Sequence, residues 1–450
     1  MERTISSELL RAKLAEALTA PPPALTRRDV RLPGIPGKPL AVIGVRRGGK
    51  TSFMHQLRAD RIARGRPRES QLMLGLEDER LVGMTALDLG WVIEEHARQY
   101  PAIRTAGILS LYLDEIQIVD GWESLIHRLV EAKDVELVIS GSSAKLLSQE
   151  VATAARGRLL EVLVHPFSFR EALRHASAEP AGPWNMLGPA DRAALEARLR
   201  DYLRTGGFPE AQGIDLRDRA RLLTGYVDTM VLRDVIERHN VTNPRALRAL
   251  QRHLLATPGG SFTVNKFYNF LKSQGVAIGK DTLHAYLGHL QDAFLIRVLD
   301  MHSASEKQRM VNPRKVYPVD AGLIPLYEQP GREHRGRTLE TAVLLELERR
   351  EYAVTWLRVD DDREVDFFAT RPGEKPLLVQ VCLDTTEDST WDREVRALEA
   401  AAATQPDADA VLITQDQSLP TRSLPGKLQW YSAAQWLLGM PESRPLSAPK

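Results

Sequence analysis

Apolar residues recur along the chain at two spacings. Short continuous runs, Pro39-Leu-Ala-Val-Ile43, Ile108-Leu-Ser-Leu-Tyr-Leu113, Val135-Glu-Leu-Val-Ile139 and Leu159 to Val164, read as buried strands. Gln71-Leu-Met-Leu-Gly75 reads as a further strand that runs into the charged loop Glu77-Asp-Glu-Arg80. Helix-spaced stretches accompany them. Ile5 to Leu18 forms one, stopped by Pro21-Pro22-Pro23, and Ser52 to Arg61 forms another without a breaker. Strands alternating with helical stretches predict a parallel sheet with crossover helices, an α/β fold class. In such sheets ligands sit at the carboxyl ends of the strands.

The pattern then changes. Ala176 to Asp191 is rich in Pro and Gly and predicts an exposed loop. Helical spacing dominates from Arg192 to about Asp300. Within it, Ser261 to Lys272 predicts a capped helix, Ser273 to Gly279 a turn, Lys280 to Gln291 a second helix and Phe294 to Leu299 a strand. A basic, breaker-rich linker follows at Gln329 to Arg337. Beyond it come a helix from Thr338 to Glu351, alternating strands, a helix from Trp391 to Ala403 and a strand at Ala410 to Thr414. These predict a small separate α/β domain. The tail after Met440 reads as loose, and no internal repeat is present.

The chemistry concentrates after the first strand. Gly44-Val-Arg-Arg-Gly-Gly-Lys-Thr51 fills the phosphate-loop pattern G-x-x-x-x-G-K-[ST] between a strand and a helix. Backbone amides in such a loop form an anion nest, and the next helix adds its positive N-terminal end. The expected nucleotide contacts are Gly44, Arg46, Arg47, Gly48, Gly49, Lys50, Thr51 and Ser52, with Lys50 on the phosphates and the Thr51 hydroxyl on Mg²⁺. Asp114 and Glu115 end a buried strand. Asp114 is expected to hold Mg²⁺ with Thr51, and Glu115 to act as general base toward water. Ser140, Ser142 and Ser143 end the next strand. Ser142 is the hydroxyl expected near the γ-phosphate, and helix capping is the other use of these serines. Arg156 and Arg158 flank a turn. Either they neutralise transition-state charge, in a neighbouring subunit if the protein forms a ring, or they are a surface pair.

Composition sets bounds on function. With 60 basic against 59 acidic side chains, net +1, the chain as a whole is no polycation, and nucleic-acid contact would need a local patch. Its single cysteine, Cys382, excludes a disulfide framework. No apolar run approaches a membrane span and the first residues lack a secretory pattern, so a cytoplasmic location without membrane contact is expected. At 450 residues, several domains are expected.

Taken together, these motifs resemble a prokaryotic family of AAA-type P-loop ATPases that joins an ATPase core to a winged helix and a restriction-endonuclease-like C-terminal domain. The resemblance rests on Gly44 to Thr51, Glu77 to Arg80, Asp114-Glu-Ile-Gln117, Ser140 to Ser143, Arg156-Gly-Arg158, Pro166-Phe-Ser-Phe169, Gly206-Gly-Phe-Pro-Glu210, Glu364-Val-Asp-Phe367 and Gln380-Val-Cys382. It implies an ATPase core with an N-terminal helix at 1–175, a helical lid at 191–245, a winged helix at 246–328 and a nuclease-like domain at 338–440. It also implies that Gly207 and Pro209 sit in a lid loop near the nucleotide and Arg27-Arg28 near the base. The nuclease motif departs from the family pattern. Asp366 stands where the first acid belongs, but Gln380-Val-Cys382 replaces acid-x-Lys, so nuclease activity is not expected. Cys382, flanked by apolar residues, reads as a buried strand residue.

The function expected is ATP hydrolysis with Mg²⁺, in a homo-oligomer, coupled to DNA binding, translocation or remodelling. The second helix of the 246–328 segment, with Lys280 and His284, is the candidate DNA contact, and packing against protein is its other use. The alternative is an ATP-gated switch that binds a protein partner without motor activity.

Overall fold

In the computed structural model, the described residues are 4–35, 37–132, 135–141, 159–303, 305, 312–328, 335–360, 363–383, 388–415, 426 and 428–439. They fall into two compact units, one up to residue 164 and one from residue 165 onward.

The first unit holds helices α1 (Ser7–Thr19), α2 (Lys50–Ala63), α3 (Ala86–Gln99), α4 (Pro101–Ala106) and α5 (Trp122–Ala132). Its strands are β1 (Leu40–Ile43), β2 (Gln71–Gly75), β3 (Leu109–Asp114), β4 (Val135–Gly141) and β5 (Leu160–Leu163). All five run parallel in the order β2-β3-β4-β1-β5. Phe53, Met54 and Leu57 of α2 cover one face, against Val42, Tyr112, Val138 and Val162. Burial on both faces explains why the strands read as continuous apolar runs rather than alternating ones. Ser6 caps α1, and a capping box of Thr85 and Asp88 starts α3.

The second unit begins with α6 (Phe169–His175), α7 (Pro189–Thr205) and α8 (Leu216–Thr229), which passes into a π-helical segment at Met230–Glu237. Next come α9 (Pro244–Ala256), β6 (Ser261–Phe262), α10 (Val264–Ser273), α11 (Lys280–Asp292), β7 (Ile296–Leu299) and β8 (Arg314–Pro318). The three strands form an antiparallel sheet in the order β6-β8-β7. The rest is α12 (Arg335–Arg349), β9 (Ala353–Arg358), β10 (Glu364–Thr370), β11 (Leu377–Cys382), α13 (Asp388–Thr404), β12 (Asp409–Thr414), β13 (Gln429–Ser432) and α14 (Ala433–Leu438). Its sheet, β13-β12-β11-β10-β9, is antiparallel across β9-β10-β11 and parallel across β11-β12-β13. Helix α13 packs Trp391, Val395 and Leu398 on one face, while Leu339, Val343 and Leu347 of α12 enter the core on the other. Cys382 is buried at the end of β11. Among the described residues, no helix is long and apolar enough to cross a membrane.

Some elements differ from the sequence reading. The helix expected at Ser261 begins at Val264, because the Thr263 side chain accepts from the Lys266 amide and leaves Ser261–Phe262 free to pair with β8. Helix α7 starts at Pro189, inside the expected loop, with proline in its first turn. Arg335 to Arg337 of the expected linker are already helical.

The Gly206-Gly207 pair has a packing explanation. Gly206 lies at φ +75°, and a Cβ there would fall 1.7 Å from Asp320 Oδ1. A Cβ on Gly207 would fall 2.1 Å from the Phe167 carbonyl. The Gly207 amide donates to Asp320 Oδ2 at 2.7 Å, and the Gly322 amide to Oδ1 at 2.9 Å. Burial raises the Asp320 carboxyl to about 6 even so, against the two amides and Arg349.

Because this folded-state value lies above that of the unfolded chain, the favourable contribution is complete below pH ~4 and is lost as pH rises through the folded value. The loss is about 2 to 3 kcal/mol for a group this deeply buried. Asp320→Asn is therefore expected to flatten the fall in melting temperature over that pH range, read by calorimetry. Equal slopes for mutant and wild type would contradict it.

Candidate nucleotide site

The phosphate loop spans β1 and α2. Gly44 sits at φ +143°, and a Cβ there would lie 2.2 Å from the Val164 carbonyl on the chain leaving β5. Gly49 is the N-cap of α2 at φ +98°, and no side chain caps the helix, so its first amides face the loop's interior. Arg47 also takes a left-handed conformation, φ +63°, which is strained for a residue with a Cβ. Ser52 and Thr51 are exposed on the first turn of α2.

Lys50 folds back into the loop. Its Nζ lies 3.2 Å from both the Gly44 and Val45 carbonyls and 3.7 Å from Glu115 Oε1. An ammonium parked on loop carbonyls sits in the cradle where the loop's amides would receive phosphate oxygens. Thr51 donates its hydroxyl to Asp114 Oδ2 at 2.7 Å. Ser140 donates to the other oxygen, Asp114 Oδ1, and accepts from the Glu115 amide at 2.9 Å. Burial pushes the Asp114 carboxyl above the usual carboxylate range, opposed by the hydroxyls of Ser140 and Thr51. A buried carboxylate touching a threonine hydroxyl beside a lysine is a donor set that fits a magnesium-bound triphosphate.

Glu115 occupies a left-handed conformation at φ +56°. That turn at the strand end aims its carboxylate toward Lys50, and the strain is of the kind stored at functional sites. Gln117, two residues on, donates its side-chain amide to Glu115 Oε2. Arg46 pairs with Glu77 at 2.9 Å. The loop carrying Glu77 is tied to α1 in turn: Asp78 pairs with Arg80 and Lys13, which hold its carboxyl below the usual range, and Arg80 also pairs with Glu16. Arg28 reaches under the loop to the Gly48 carbonyl at 3.0 Å, while Arg27 pairs with Asp60 of α2.

The structure thus brings together Gly44, Arg46, Arg47, Gly48, Gly49, Lys50, Thr51, Asp114 and Glu115. Ser142, Arg156 and Arg158 lie outside the described residues. Gly207 and Pro209 belong to the second unit, Gly207 in the packing described above. Two participants hold positions that the sequence reading did not specify: Ser140 was read only as one of three strand-end hydroxyls, and Gln117 had no assigned role. Ser140 is bonded to Asp114. Its signal was the parallel register, which sets β4 beside both β1 and β3. Gln117 was visible only as the last residue of Asp114-Glu-Ile-Gln117, and its spacing from Glu115 carries no signal outside this tight turn.

Comparison with known proteins agrees with this geometry. Residues 36–173 match a family model described as AAA domain, and residues 196–328 match one described as a domain of unknown function (DUF8612). The chain is 31% identical to the uncharacterized protein MJ1544 of Methanocaldococcus jannaschii over 378 residues, 83% of this chain and 81% of that one. It is 29% identical to an uncharacterized protein of Haemophilus influenzae over 77% of this chain and 83% of that one. Among solved structures, the Walker-type ATPase PABY2304 of Pyrococcus abyssi is similar at 17% identity, covering 72% of this chain and 95% of its own, with a TM-score of 0.39. A phosphate loop, a strand-end acid bonded to its threonine, and this degree of relatedness lead to one conclusion: the chain belongs to the family of MJ1544, with a P-loop AAA ATPase domain at residues 36–173.

Proposed function

We propose that this protein is a magnesium-dependent ATPase of AAA type, oligomeric, whose cycle is coupled to binding and remodelling DNA, translocation included. The observation that carries the ATPase reading is Asp114, held between the Thr51 and Ser140 hydroxyls beside Lys50 and Glu115. Thr51 and Asp114 would hold the magnesium ion, which when bound neutralises charge on the phosphates. The remaining chemistry belongs to the chain. Lys50 exchanges the Gly44 and Val45 carbonyls for phosphate oxygens. Glu115, released from Lys50, accepts the proton of the attacking water. Gln117 holds the Glu115 carboxylate in place. Arg156 or Arg158 completes the site across a subunit interface in this reading, with Gly207 and Pro209 in a lid formed by 191–245.

The DNA reading is supported by the order α9-β6-α10-α11-β7-β8, which we read as a winged helix. Lys272, Lys280 and His284 are exposed along α10 and α11. Such side chains suit phosphate contacts. Residues 338–440 are read as a nuclease-like domain without nuclease activity, and the location as cytoplasmic.

Two measurements test this. Lys50→Ala is expected to abolish phosphate release. Glu115→Gln should bind ATP as wild type does while kcat falls about 100-fold, the usual scale for a general base, and Gln117→Ala should lower kcat with KM unchanged. Normal turnover in Glu115→Gln would contradict the assignment of the base. In the second, duplex or branched DNA is expected to stimulate turnover, with the stimulation fading steeply as salt rises. Absence of stimulation by either would favour a nucleotide-gated switch acting on a protein partner.

A further inference from the structure

The second unit holds an acidic cluster that is not among the residues assigned to the nucleotide site. Asp366 of β10 and Glu340 of α12 are 5% and 8% exposed. Carboxylates this deep require a positive charge close by. One comes from a different sheet. Lys315 lies on β8, the middle strand of the three-stranded sheet, and is 2% exposed. Its Nζ is 3.4 Å from Asp366 Oδ1 and 2.8 Å from Glu364 Oε1, and it sits 5.4 Å from the centre of the Trp356 ring. Burial acts to lower the Lys315 pKa, but Asp366, Glu364 and Glu340 outweigh it and hold the ammonium charged.

The same face of β8 sends a second side chain inward. Tyr317, two residues on, donates its hydroxyl to Glu340 Oε2 at 3.2 Å. Arg337 donates to both Glu340 oxygens at 3.0 and 2.8 Å. The turn after α9 closes in beside them: a Cβ on Gly259, at φ +65°, would lie 2.9 Å from Glu340 Oε2. On the other side the Val381 amide donates to Asp366 Oδ2 at 3.1 Å, and Gln380 spans from the Asp366 amide to Glu394. Every carboxylate in the cluster has its partner within the chain. Among the described residues, no group of three or more His, Cys, Asp and Glu side chains is arranged to hold a metal ion.

We propose that Lys315 is a built-in cation: its ammonium does for Asp366, Glu364 and Glu340 what a divalent metal does in an acid-lined site, closing the pocket to metal and fastening β8 to the C-terminal sheet. The acids on β10 then serve as an anchor for the neighbouring sheet. This inference is independent of ATP turnover.

The test is the thermal melt of the nucleotide-free, full-length chain with and without MnCl₂. Wild type is expected to show no Mn²⁺-dependent rise in melting temperature that Asp366→Asn removes. Lys315→Ala should melt several degrees lower and should gain Mn²⁺ affinity at least about tenfold, the gain being abolished by adding Asp366→Asn. Lys315→Arg, which keeps the charge, should melt close to wild type. If Lys315→Ala does not fold, the double variant Lys315→Met/Asp366→Asn should recover soluble protein. The proposal is overturned if wild type binds Mn²⁺ through Asp366, if Lys315→Ala melts as wild type or gains no Mn²⁺ affinity, or if the double variant is as insoluble as the single.

Discussion

The nucleotide site depends on one carboxylate shared between two hydroxyls. Asp114 ends β3 and receives Thr51 from the first turn of α2 and Ser140 from the end of β4. The parallel register makes this meeting unavoidable: Ile43 aligns with Gly141 across β1 and β4, and Leu113 with Ile139 across β3 and β4. The carboxyl ends of three strands therefore lie at one level, and the phosphate loop leaves from the same level. A slip of one residue would turn Asp114 or Ser140 to the opposite face and dismantle the site. The buried apolar strands stabilise the fold and also fix the separation between Asp114 and the loop.

Two backbone strains mark the same level. Arg47 in the loop and Glu115 after β3 both hold left-handed conformations that side chains disfavour. Each costs on the order of 1 to 3 kcal/mol and persists where the surrounding structure over-determines it. For Glu115 the surroundings are the Ser140 hydroxyl on its amide and Gln117 on its carboxylate. Strain and hydrogen bonding together hold the carboxylate pointed toward Lys50.

The sequence was most legible where chemistry restricts residue type. The meeting of Gly44 to Thr51 with Asp114-Glu115 was readable because the pattern G-x-x-x-x-G-K-[ST] and paired acids at the end of a buried strand are distinctive, and the apolar strands because burial on both faces leaves an uninterrupted signal. Legibility failed where a residue's role depends on partners distant in the chain. β8 gave no strand reading: Arg314-Lys-Val-Tyr-Pro318 is short, and a lysine in it suggests solvent. Its Lys315 is buried because Glu364 and Asp366, about fifty residues later, surround it. Likewise Gly206-Gly207 reads as a loop signal, whereas the structure shows two glycines with no room for a Cβ beside Asp320 and Phe167. The contact of Ser140 with Asp114 likewise follows from the register of β3 and β4, which residue type alone does not give.

Coordination of Mn²⁺ in the presence of a non-hydrolysable ATP analogue, followed by electron paramagnetic resonance, tests the central arrangement most directly. Wild type should bind the ion tightly only with the analogue present, and Asp114→Asn should weaken that binding at least about tenfold while leaving the fold intact. Equal Mn²⁺ affinity in the two proteins would contradict the shared-carboxylate site.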